Sequence, residues 1–215
     1  MSFPEPFEST ADVLVESYDD GKSISEYFDA PARVRKALAR PLLLSFLRMV
    51  FTNNFIHCDL HSGNVLASQD PVDGTFRICI IDAGIVTSLK SGDATNLKDL
   101  FLAVVTNDGE NAGRMIVERA KRHDCDDIDA FAKGIGGIIQ EFHDCRSEGL
   151  TLGAVRIGSL LTRVLDLCRL HKVLLEPAMA NVVLSTVVLE GVGRTLDPSM
   201  NLMDAALPFL LGRGL

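Results

Sequence analysis

The chain has no Cys-x-x-Cys pair, no stripe of Lys and Arg, and no apolar run long enough to cross a membrane. Its five cysteines, at 58, 79, 125, 145 and 168, are odd in number and scattered, which excludes a disulfide-stapled framework and points to a reducing compartment. The balance of 21 basic and 29 acidic residues gives a net charge of -8. Such a chain has nothing to track a phosphate backbone with, so nucleic-acid binding is disfavoured. The longest stretch free of charge, Pro177 to Leu189, falls short of the roughly 20 residues a membrane helix needs and reads as a buried helix. The first twelve residues are acidic and lack Arg, unlike a signal or transit peptide, so no targeting segment is expected here. There is no internal repeat and no low-complexity segment. With 215 residues and 47% hydrophobic content, one domain with a sizeable core is expected.

What is present is concentrated between residues 57 and 84. His57-Cys58-Asp59-Leu60-His61-Ser62-Gly63-Asn64, followed by Ile81-Asp82-Ala83-Gly84, has the order of a protein-kinase catalytic loop and metal-binding loop. In that chemistry Asp59 accepts the proton of a phosphoryl acceptor, while Asn64 and Asp82 hold the Mg2+ ions that neutralise the triphosphate of ATP. An apolar helical run from Leu42 to Phe55 leads into the first loop. Two β-type runs, Asn64 to Ala67 and Phe76 to Ile81, flank a turn at Asp70 to Gly74 and predict a hairpin that brings Asn64 and Asp82 together. A lone His-x-Asp or Asp-x-Gly is common; the ordered pair between a helix and a hairpin is not.

The loops depart from an ordinary kinase. Cys58 stands where an Arg would pair with a phosphorylated activation loop, and no Ala-Pro-Glu follows. At these positions the chain resembles the UbiB family of aarF-domain atypical kinases, whose loops read close to His-Ala-Asp-x-His-Pro-Gly-Asn and Ile-Asp-Phe-Gly. Cys58, Ser62 and Ala83 replace the usual Ala, Pro and Phe. The loop Ile81-Asp82-Ala83-Gly84-Ile85-Val86 looks most like the mitochondrial second subgroup of animals. Val13 to Gly21 resembles the strand and hinge between the two kinase lobes, which implies that backbone groups near Glu16, Ser17 and Tyr18 bond an adenine edge. His171-Lys172-Val173, Glu176-Pro177 and Leu189 to Pro198 resemble the C-terminal helices, so the likeness runs from about residue 3 to residue 211.

The resemblance implies a predominantly α (α+β) fold: a kinase-like C-terminal lobe over residues 22–215, with residues 1–21 as the hinge and the end of an N-lobe. It implies Mg-ATP-dependent phosphotransfer or ATPase activity linked to mitochondrial coenzyme Q and lipid metabolism. His61 has two roles open to it, phosphate contact or support of the loop. Only twelve residues precede Val13, with no covering loop and no strand Lys. The family's Lys-x-Gly-Gln extension and Ala-rich nucleotide loop are likewise not found, and Lys22 and Lys36 read as solvated lysines on helix surfaces. The 215 residues alone are therefore expected to bind ATP weakly and to lack turnover. Two rivals stand beside this: a non-catalytic scaffold for a lipid or protein partner, and a small-molecule phosphotransferase, against which Ala83-Gly84 argues. Self-association through an exposed N-lobe interface and contact with a lipid or membrane surface are the remaining partner expectations.

Beyond Ile85 the spacing predicts helices at Asp93 to Thr106, Glu110 to Arg122, Ile128 to His143, Leu152 to Leu170, Pro177 to Leu196 and Leu202 to Leu211. Gly134-Ile135-Gly136-Gly137 has no strand before it and suits close helix packing rather than a phosphate loop. The triplets His123-Asp124-Cys125 and His143-Asp144-Cys145 carry zinc-type ligands at poor spacing. The run Asp124 to Asp129 reads as a helix start. Met200 to Leu215 reads as a cap on the core.

Overall fold

A computed structural model gives the fold and describes residues 1–147, 157–200 and 202–211. In chain order its elements are β1 (Pro6–Ser9), β2 (Leu14–Glu16), β3 (Lys22–Ser23), α1 (Ala32–Phe51), β4 (Ile56–His57), β5 (Val65–Gln69), β6 (Phe76–Ile80), β7 (Val86–Thr87), α2 (Ser91–Val105), α3 (Gly109–Glu118), β8 (Arg122–His123), α4 (Ile128–Ser147), α5 (Ile157–Leu170), β9 (Val173–Leu174), α6 (Pro177–Leu196) and α7 (Leu202–Leu210). This is the α+β, kinase-like arrangement expected. Among the described residues helices carry the bulk, and four small antiparallel sheets carry the loops.

The central helix is longer at its start, and shorter at its end, than the run Leu42 to Phe55 suggests. Pro41 lies inside α1, whose first ten residues run ahead of Leu42. The helix stops at Phe51 because Asn54 takes a left-handed conformation, φ 50°, and the Phe55 N–H turns back to the carbonyl of Met49 at 2.9 Å. Leu38, Leu42, Leu43, Phe46, Leu47 and Met49 of α1 are buried. They pack in one cluster with Val182, Leu189 and Leu196 of α6 and with Leu202, Ala206 and Phe209 of α7. The described part of the C-terminal segment is therefore a cap on the core, as its composition suggests; residues 201 and 212–215 lie outside the described residues.

By length and composition α6 could cross a membrane; it is half-buried rather than the buried helix its composition suggests, with Val182, Leu189 and Leu196 in the core and Leu184 and Val188 exposed. Glu190, 5% exposed, pairs with Arg194 one turn on at 2.9 Å and also accepts from the Gly158 N–H of α5.

A second cluster joins α3, α4 and α5 around Ala112, Ile116, Phe131, Ile135 and Cys168. Glycine permits the approach of α3 to α4. A Cβ on Gly113 would lie 2.6 Å from Cα of Ala132, and one on Gly109 would lie 2.7 Å from Cα of Gly136. Gly134 and Gly136 of the α4 cluster thus serve helix packing, against Leu167 and Glu110, whereas Gly137 faces open space. An apolar cavity of about 130 Å³ lies between α2, α3, α4, α5 and α6, with Leu97, Phe101, Met115, Ile135 and Val164 among its walls.

Several boundaries differ from expectation. The helix expected to reach Arg122 ends at Glu118, because Arg122 and His123 pair as β8 with Leu174 and Val173 of β9. The same pairing makes Val173 a strand residue rather than a helical one. Lys22 is on a strand, not on a helix surface; like Lys36 it is exposed. The acidic run does start a helix: the Asp127 carboxylate accepts from the Ala130 N–H at 2.8 Å, capping α4. The predicted start of α5 at Leu152 lies outside the described residues.

Candidate functional site

The site is built where β4 and β7 pair and where the β5–β6 hairpin opens. Ile56 and His57 pair with Thr87 and Val86, and the Cys58 N–H donates to Ile85 O at 2.9 Å. The start of the catalytic loop is thereby stitched to the segment just beyond the metal loop. His57 is fully buried. Its Nδ1 accepts from the Asp59 N–H at 3.3 Å, and its Nε2 lies 3.4 Å from the carbonyl of Ile81. One tautomer, with the proton on Nε2, satisfies both. His57 therefore ties the backbone of the first loop to the residue before Asp82.

Asp59 follows on the solvent side, exposed, with its neighbour Leu60 buried. Asn64 is buried, and its amide Nδ2 donates to the Asp59 carbonyl at 3.1 Å. That contact leaves the Asn64 Oδ1 as an available acceptor. The hairpin delivers its partner: Val65 pairs with Ile80, and the Ile81 N–H reaches Asn64 O at 2.9 Å. Asn64 and Asp82 are brought to one end of the hairpin, as the β pattern foresaw.

Asp82 takes a left-handed backbone, φ 58°. For a residue other than glycine this is uncommon, and it tends to occur where side-chain direction matters more than backbone comfort. Neither the Asp59 nor the Asp82 carboxylate has a hydrogen bond or ion pair among the described residues. The two exposed, unpaired carboxylates and the Asn64 amide oxygen are hard oxygen donors, the type that Mg2+ takes.

His61 accepts at Nδ1 from the Gly63 N–H at 3.1 Å and caps the short 3-10 turn Ser62–Asn64. A Cβ on Gly63 would lie 2.9 Å from that ring. His61 thus supports the loop through Nδ1, which leaves its Nε2 open to a phosphate.

The hinge segment is placed differently. Glu16 closes the β1–β2 pair opposite Pro6. Ser17 is bound to Glu5 twice: its N–H donates to Glu5 O at 2.9 Å and its Oγ accepts from Glu5 N at 2.8 Å. Tyr18 is 92% exposed. The backbone N–H of Ser17 is thus already used, while Tyr18 stands free at the end of the strand.

Three supports escaped the sequence. Asn54 grips Leu89 by both backbone groups, donating to its carbonyl at 2.7 Å and accepting from its N–H at 2.9 Å. Asn181 and Ser185 of α6 reach Cys58 and the carbonyl of His57. Only the Asn-Asn pair after an apolar helix hints at the first; nothing local marks the other two. The zinc-type triplets are spread among other contacts. Asp124 pairs with Arg122 at 3.6 Å, Cys125 lies 3.9 Å from Nδ1 of His171, and His143 meets Val104 O at 2.8 Å. The side chain of Cys145 lies outside the described residues.

Comparison with known proteins decides the family. Residues 3–116 match the ABC1 atypical kinase-like domain, and residues 146–201 match the UbiB helical domain. The chain belongs to the ABC1/UbiB family. It is similar to a mitochondrial ABC1 family protein of Saccharomyces cerevisiae, 29% identical across 98% of this chain and 39% of that protein. A mitochondrial ABC1 family protein of Schizosaccharomyces pombe is 31% identical across 98% of the chain and 36% of its own length. A protein of Shewanella putrefaciens described as a probable protein kinase UbiB is 27% identical across 81% and 31%. This chain thus spans less than two fifths of these relatives. The mitochondrial setting implied by the resemblance agrees with both fungal ABC1 proteins.

Proposed function

We propose that this ABC1 chain carries the acidic half of an Mg-ATP site, used for ATP hydrolysis or phosphoryl transfer. The observation that carries the reading is the convergence of Asn64 and Asp82 at one end of the β5–β6 hairpin, next to an unpaired Asp59. Asp82 and the Asn64 Oδ1 would hold the metal. When bound, Mg2+ neutralises charge on the phosphates and on the developing transition state. Asp59 orients the attacking hydroxyl or water and takes its proton at the carboxylate. His61 keeps the loop in shape, and backbone groups at Glu16 and Tyr18 bond the adenine edge with Ser17 fixing the strand between them.

As the wider setting, family likeness supports mitochondrial coenzyme Q and lipid metabolism, with contact to a lipid or membrane surface. The full-length gene product tests the site. Mg-ATP titration by calorimetry should show Asp82→Asn losing affinity and turnover together, because its carboxylate serves binding and charge neutralisation alike. Asp59→Asn should keep affinity and lose about 100-fold or more in turnover, since a base acts in the chemical step. If both variants bind and hydrolyse Mg-ATP like the parent, the site is wrong and a non-catalytic scaffold takes its place.

A further inference from the structure

The chemistry assigned to Asp59 depends on a loop that the Asp59 carboxylate does not itself anchor. That carboxylate has no partner among the described residues, so its position is set by the Asp59 backbone, bonded to His57 Nδ1 and Asn64 Nδ2, and by the backbone at residues 57 and 58 that leads into it. One side of that backbone is held by β7 and the metal loop. The other side is held by α6.

Two polar side chains of α6, one turn apart and so on one face of the helix, turn to the loop. The Oγ of Ser185, a residue only 4% exposed, donates to the carbonyl of His57 at 3.0 Å. The adjacent Thr186 shows the alternative, spending its hydroxyl on Val182 O of its own helix at 2.7 Å. Asn181 donates from Nδ2 to Sγ of Cys58 at 3.2 Å, and that thiol faces Ile56 O at 3.7 Å. An alanine at 58 would remove the acceptor. The cysteine that replaces the usual small residue is therefore matched by a partner 123 positions along the chain.

We infer that Ser185 and Asn181 are positioning residues for Asp59, with α6 acting as a clamp on the catalytic loop and Cys58 as its grip. This rests on the Mg-ATP reading above for its catalytic consequence, though not for the clamp itself. Ser185 is the stronger half, because its bond is buried and made to the backbone. Asn181 and Cys58 act as a pair, so removing both should cost no more than removing either.

The experiment uses the full-length protein with Ser185→Ala, Ser185→Thr, Asn181→Ala, Cys58→Ala and the Asn181→Ala/Cys58→Ala double variant. Amide hydrogen exchange at residues 57–60 reads the clamp without reference to activity. Ser185→Ala should speed exchange there by about tenfold and lower kcat by about tenfold, with the KM for Mg-ATP changed by no more than about twofold. Ser185→Thr, which keeps the hydroxyl, should restore both. Unchanged exchange in Ser185→Ala, or in Asn181→Ala should the first variant not fold, overturns the clamp. Faster exchange with an unchanged kcat overturns the positioning role. A parent that neither binds nor turns over Mg-ATP removes the function proposed above, and exchange still decides whether α6 holds the loop.

Discussion

The region around the catalytic loop and the region around α3 and α4 are both tightly joined, but by opposite means. At the loop, side-chain hydrogen bonds tie down backbone groups, locally from Asn64 to Asp59 and across long sequence separations from Asn54 to Leu89 and from Ser185 to His57. Between α3 and α4, contact is made by leaving side chains out, at Gly109, Gly113 and Gly136. Polar ties fix a direction, which a site with free carboxylates needs. A small-residue seam fixes a distance, which a helical support needs.

The sharpest way to break the comparison is through glycines that share a helical setting and differ in space. Helix propensity alone makes Gly→Ala stabilising by about 1 kcal/mol. At Gly137, where a Cβ meets nothing within 4 Å, that sign should hold. At Gly113 the new atom meets backbone, so Gly113→Ala should destabilise by about 2–3 kcal/mol as overpacking outweighs propensity. Urea unfolding of the two variants checks this. Equal signs would show that the seam is looser than drawn.

On the polar side, Asn54→Ala should cost about 2 kcal/mol, from two lost hydrogen bonds to Leu89 and a left-handed backbone without its preferred residue. Asn54→Gly keeps the backbone freedom and should cost less. A larger loss for Gly than for Ala would mean that the conformation, and not the bonds, has been misjudged.

The apolar side also carries a pH signature. Burial pushes the Cys168 thiol up to about 11 from 9.0. With the folded value raised, the stabilisation is complete below pH 9 and is lost as pH rises through about 11, since the unfolded chain gives up a proton the folded chain keeps. Cys168→Ala should flatten the alkaline limb of a stability–pH curve by up to about 2–3 kcal/mol. An unchanged limb would place the alkaline loss elsewhere.

The smallest effect is the one that depends on concentration. Every residue of β1 and β2 is exposed, and Phe7, Leu14 and Val15 are respectively 66%, 59% and 47% exposed. A two-stranded ribbon with an open edge invites pairing with a second copy. Light scattering of the 215-residue chain should show association that weakens in Leu14→Lys; a monomer at every concentration would remove this expectation.

How much of this was legible differs by region in the same way. The order of Asp59, Asn64 and Asp82, the intervening hairpin and the apolar helices are local patterns, and they were read from neighbours in sequence. Even the seam showed itself as Gly134-Ile135-Gly136-Gly137, although its contact across to Gly109 and Gly113 did not. The supports at Asn181 and Ser185 were not legible: both sit in a helix whose apolar composition dominates, and their acceptors lie more than 120 residues away. The early start of α1 was missed because Pro41 suggests a boundary, while tertiary packing carries the helix through it. Ser17 looked free because its partner, Glu5, lay in a segment with no pattern of its own.

The β5–β6 hairpin has its two ends assigned to different fates. Asn64 and Asp82 meet at one end; at the other, the turn Asp70–Gly74 closes on itself through Gly74 N–H to Asp70 O at 2.9 Å and presents Val72 at 93% exposure. Five paired residues per strand separate the two, roughly 17 Å of ladder. That distance makes the turn a natural insertion point, where an epitope or a fluorescent reporter could be carried by the chain while the acidic residues at the far end keep their register.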